Sequence, residues 1–138
     1  MKSTALILFI FLSLGHAFSQ TKITNQSVID QLDELLFDSQ YEEVIKRVDL
    51  AKPTDLPNEI LLKNKKAEAL IRLGKFDEAD KLLKETLDKI NPIKNSESLT
   101  AITQTNIGYL LLNQGRNDLA LETLTAAVST LQANGNSL

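Results

Sequence analysis

An all-α fold of stacked helical hairpins is what this sequence predicts, on three observations. Between Gln26 and Gln132 the apolar residues recur at helical spacing, and no run of alternating β-branched residues suggests a strand. Proline and glycine interrupt that periodicity at short intervals and cut it into six segments. The second and third pairs of segments superpose on one another residue by residue.

The chain opens with Lys2, an uncharged run from Ala5 to Leu14, and the stretch Gly15-His16-Ala17-Phe18-Ser19, the positive, apolar and small-residue parts of a secretory signal peptide. Such a run makes about 15 Å of helix, roughly half a bilayer core. Residues 1–19 are therefore expected to be a leader rather than a permanent span. Cleavage fits after Ser19, with Ala17 and Ser19 as the small residues, or after Ala17, with Gly15 and Ala17. The expected chain is exported, periplasmic or secreted; Gln20 after the cleavage point suits bacterial export. No Cys follows the apolar run, so a lipoprotein anchor is not expected, and no later segment is apolar enough to insert in a membrane.

Six helices are expected at about 26–38, 41–51, 57–73, 76–90, 97–113 and 117–132. Pro53 and Pro57 separate the second from the third, and Pro92 closes the fourth just after Asn91. Gly74 and Gly115 each follow a periodic run, where a left-handed C-cap residue belongs. Asp77 and Asp118 then place negative charge at the start of the next helix, where the helix dipole favours it. Short connections make neighbours antiparallel, giving hairpins at about 26–51, 57–90 and 97–132 within an array spanning 20–132. Residues 133–138 are expected to be a flexible C-terminal tail.

The second hairpin reads Ala67-x-x-Leu70-x-x-Leu73-Gly74-x-Phe76-Asp77-Glu78-Ala79, and the third Gly108-x-x-Leu111-x-x-Gln114-Gly115-x-Asn117-Asp118-Leu119-Ala120. In the first, Leu32, Leu35, Ser39, Tyr41 and Val44 stand at the matching places. This pattern resembles the tetratricopeptide repeat family over about 26–132, and the resemblance implies an α-solenoid of three such hairpins. Small residues at Ala67, Gly108, Ala79 and Ala120 would let paired helices approach closely, with Leu70, Leu111, Leu83 and Leu124 beside them, and Phe76 would fill the turn. Lys63 and Gln104 stand where the family has an aromatic early in its first helix, and Asn117 replaces the turn aromatic. Gly74 and Gly115 are farther apart than one usual repeat, so the connection near residues 90–98 or its flanking helices must be lengthened.

Composition removes most chemistry. The chain has no Cys, no Trp and one His, and His16 departs with the leader, so thiol nucleophiles, disulfides and histidine bases are excluded from the remaining chain. Neighbouring carboxylates such as Asp33-Glu34, Glu42-Glu43 and Asp77-Glu78 diverge by about 100° on a helix and cannot face each other across a cleft. There is no Gly-rich phosphate loop and no calcium loop. No catalytic, metal-binding or cofactor-binding residue is expected. With 15 Lys and Arg against 18 Asp and Glu the chain is mildly acidic, which disfavours nucleic acid as a partner.

The resemblance implies that the first helices of the hairpins line a concave groove, with Asn64, Lys65, Glu68 and Arg72 from the second repeat and Thr105, Asn106, Tyr109 and Asn113 from the third facing it. Such a lining of amides, cations and one amphipathic aromatic suits a peptide or protein segment. Asn64 and Glu68 stand where the family's clamp for a C-terminal carboxylate has Lys and Asn, so that clamp is not expected. A second surface is expected at the end of the array. The last helix carries Leu121, Leu124, Val128 and Leu131 with few charges, and an open stacking face points to a homodimer or a partner contact. The expected function is an exported interaction module or scaffold. Its alternatives are a sensory or regulatory segment whose effector lies in a partner or longer parent chain, and a small helical enzyme using carboxylate or Lys chemistry, for which no motif speaks.

Overall fold

In the computed structural model, which describes residues 25–135 and side chains from 28 to 133, the described residues form six helices. These are α1 (Asn25–Phe37), α2 (Tyr41–Leu50), α3 (Leu56–Arg72), α4 (Phe76–Ile90), α5 (Glu97–Asn113) and α6 (Asn117–Gly135). The all-α fold of helical hairpins is borne out, and the expected helix ends are met within one residue except the last. There α6 continues to Gly135, into the stretch expected to be tail. Residues 136–138, and the whole of the expected leader 1–19, lie outside the described residues.

The turns inside the three hairpins share one backbone solution. Ser39, Gly74 and Gly115 have φ of 59°, 74° and 74°. In each case the next N–H reaches back five residues, Gln40 to Leu35 O, Lys75 to Leu70 O and Arg116 to Leu111 O, while the left-handed residue bonds the carbonyl three before it. This double closure satisfies carbonyls that a helix end otherwise leaves open. The first hairpin, weakest in sequence, achieves it with a serine. Helix α3 begins with Asp55 accepting from Asn58 N–H at 2.8 Å, and Pro57 is tolerated because the first helical turn has no use for its missing N–H.

Packing follows from one-sided helices that must each cover an apolar stripe. Leu32, Val44, Leu62 and Ala69 are buried together where α1, α2 and α3 meet. Ala67, Leu70, Ile71, Ala79, Leu83 and Leu110 are buried together where α3, α4 and α5 meet, and Ile45 touches both groups. First helices contact successive first helices (α1 with α3, α3 with α5), and second helices contact the following first helix (α2 with α3, α4 with α5). Helix α6 contacts only α5 among the described elements.

The extra length between Gly74 and Gly115 is located by the structure. Between them lie α4 of 15 residues, α5 of 17 residues, and the connection at 91–96, which contains Asn95 in the left-handed region with φ 56°. Ion pairs of Lys65 with Asp33 and Lys66 with Asp49 tie the second hairpin to the first from outside, and Lys89 with Glu59 ties α4 to α3 within the second. Arg47 joins α2 to α1 by donating to Gln31 Oε1 at 3.2 Å, and its bond to Glu43 holds that carboxyl below its ordinary value. Such exposed pairs contribute little to stability, on the order of 0–1 kcal/mol each.

Candidate functional site

Helices α1, α3 and α5 lie side by side, and the surface they share is concave. Two depressions run along it. One of about 420 Å³ is lined by Ile29 from α1, Leu61, Asn64, Lys65 and Glu68 from α3, and Ile102, Thr105 and Asn106 from α5. The other, about 310 Å³, is lined by Glu68 and Arg72, by Thr105, Asn106, Tyr109 and Leu112, and by Leu124 from α6. Glu68, Thr105 and Asn106 belong to both, so the depressions form one groove.

Seven of the eight residues expected in the groove line it, but their chemistry differs from expectation. Asn64 is only 2% exposed. Its Nδ2 donates to Ile60 O and to Thr103 Oγ1, both at 2.9 Å. Its Oδ1 accepts from Asn106 Nδ2 at 2.9 Å, and its backbone carbonyl accepts from the same nitrogen at 3.1 Å. The expectation that Asn64 offers its amide to a ligand is therefore corrected: the amide locks α3 to α5, and a buried amide without partners would be costly. Lys65 is engaged with Asp33 of α1. Asn113 lines neither depression and donates to Tyr109 O at 2.8 Å. The Arg72 guanidinium lies 5.0 Å from the Tyr109 ring centroid, a cation–π arrangement that positions the cation while leaving its N–H groups available.

The apolar floor was missed. Ile29, Leu61, Ile102 and Leu112 give the groove its hydrophobic surface. They continue the same helical stripes by one turn, Leu61 below Lys65 and Ile102 below Thr105 and Asn106, so the periodicity that found the polar residues reaches them too.

At the end of the array, Leu121, Val128 and Leu131 are 68%, 54% and 50% exposed. Leu124, expected both beside Gly108 and on that end face, packs against α5 at Gly108. A Cβ built on Gly108 would stand 2.6 Å from its Cγ and Cδ2. The small residue expected at position 108 thus has a specific cause, the close approach of α6.

Set against known protein families, residues 59–133, more than half of the chain, match the tetratricopeptide repeat. Neither curated proteins nor solved structures gave a match. With stacked helical hairpins on the page and that match across α3 to α6, the chain belongs to the tetratricopeptide repeat family.

Proposed function

We propose that this protein is an exported scaffold that binds a segment of a partner protein in the groove of α1, α3 and α5. Tetratricopeptide repeats are protein-interaction modules in general, and the finer reading rests on one observation: a continuous groove combining an apolar floor with the Arg72–Tyr109 pair. An apolar floor supplies binding energy while a few polar groups set orientation. Both Arg72→Glu and Tyr109→Ala are expected to weaken a purified partner's binding about tenfold or more while leaving helicity intact, as read by calorimetry and circular dichroism. Full binding by both variants would sink the groove reading. Export rests on the layout of residues 1–19; the amino terminus of the chain recovered from the producing cell is expected at Gln20 or Phe18, and recovery of an intact cytoplasmic chain would contradict it.

The end face supports a second contact, with another copy of this chain. Leu121, Val128 and Leu131 are open on α6, and residues 123–135 carry no charge. Exposed Asp30, Glu34 and Asp38 make the opposite end of the array acidic, so head-to-tail stacking would bury carboxylates on aliphatic side chains. Two α6 helices packed antiparallel about a two-fold axis join their uncharged halves and keep Asp118 and Glu122 of each copy at opposite ends. Light scattering at high micromolar concentration is expected to give a dimer, converted to monomer by Leu121→Lys with Val128→Lys. A monomeric parent chain under those conditions would refute the contact.

A further inference from the structure

The groove's central hydrogen-bonding groups are acceptors, and this inverts the reading that residue types alone suggest. Asn106 uses both amide N–H bonds on Asn64, one to its carbonyl and one to its Oδ1. Because a backbone carbonyl can only accept, the orientation of the Asn106 amide is fixed and its Oδ1 is left on the other side. Thr105 Oγ1 donates its proton to Ala101 O at 2.8 Å, so toward a ligand it can only accept. Glu68, half-buried between the two depressions, has no ion pair or hydrogen bond among the described residues. The nearby Lys65 is engaged with Asp33, and Arg72 lies over Tyr109. The place where the depressions meet therefore presents a carboxylate and two neutral acceptors, with aliphatic walls on either side: Ile29, Leu61 and Ile102 on one, Leu112 and Leu124 on the other.

We infer that the partner segment places a cationic donor, an ammonium or guanidinium, against Glu68, with Asn106 Oδ1 and Thr105 Oγ1 accepting beside it, and flanks that cation with aliphatic side chains. This rests on the groove reading proposed above and names the chemistry of its occupant. An ammonium has only donors and a guanidinium only donors, which matches a centre that has only acceptors. A partly desolvated carboxylate holds a cation more firmly than an exposed one does, since fewer waters compete.

The test uses fluorescent peptides with blocked ends and the central sequence Leu-Xaa-Leu, Xaa being Lys or norleucine, titrated against the purified chain by anisotropy. The Lys peptide is expected to bind about tenfold tighter than the norleucine peptide. Glu68→Gln, which keeps shape and removes charge, should abolish that preference without weakening the norleucine peptide. Glu68→Lys should turn it toward a peptide with Glu at the centre. A norleucine peptide with a free amino terminus separates a side-chain cation from a terminal one. Ile102→Ser should weaken all the peptides, because it removes apolar floor. Equal binding of Lys and norleucine peptides, both weakened by Ile102→Ser, would overturn the cation inference and leave the groove standing. Binding by none of the peptides would overturn both.

Discussion

Replacing Asn64 with aspartate is expected to destabilise the fold by about 3 kcal/mol or more at neutral pH. The side chain keeps its shape, but an oxygen takes the place of Nδ2, 2.9 Å from both the Ile60 carbonyl oxygen and Thr103 Oγ1. Thr103 Oγ1 already donates to Leu99 O at 2.9 Å and has no proton to give. A carboxylate there is buried, faces acceptors, and retains one donor, Asn106 Nδ2. Protonation relieves this, because a carboxylic acid can donate to the Ile60 carbonyl. The new carboxyl's folded pKa is thus raised above its unfolded value of about 3.9. Its stability contribution is fully present below the unfolded pKa and lost as pH rises through the folded one. Denaturant unfolding should show the variant far weaker than the parent at pH 7 and recovering on acidification. A small, pH-independent change would mean that Asn64 does not lock α3 to α5.

Gly108→Val is expected to cost about 1–3 kcal/mol despite replacing a glycine inside a helix, a change that elsewhere helps. The branched side chain would collide with Leu124, whose Cγ and Cδ2 lie 2.6 Å from the Cβ position. α6 is the element that must move, since among the described elements it contacts only α5. Trimming the obstacle should reveal the cause: Gly108→Val with Leu124→Ala should be less destabilised than the sum of the single changes, measured by thermal unfolding. Strict additivity would place the strain elsewhere.

How much of this was legible in the sequence depends on which physical rule each feature obeys. Turns at Gly74 and Gly115 are local, since only a few residue types tolerate positive φ, and local chemistry can be read from a string. The stacking was legible because it repeats. Asn64 was not, although the helical wheel gave a hint: it lies about 40° from Ile60 and about 20° from Ile71, both buried, and about 70° from the centre of the stripe of Leu61, Lys65, Glu68 and Arg72. Its polarity argued for the groove, while its register placed it in the interface with α5. Which neighbours it would find depended on how the connection at 91–96 sets α5 against α3, a tertiary fact. Leu124 was legible in one of two readings: the repeat pattern set it beside the small Gly108, where it packs, while its place on the last helix also suggested the end face.

Site-specific photo-crosslinking in the producing cell tests the groove most directly. A photoreactive side chain at Ile102, in the groove, should capture a partner whose yield collapses with Arg72→Glu and with Tyr109→Ala. The same group at Lys81, on the surface formed by α3 and α4 away from the groove, should capture none. Capture at Lys81 instead of Ile102, or capture at Ile102 that ignores both substitutions, would contradict the account.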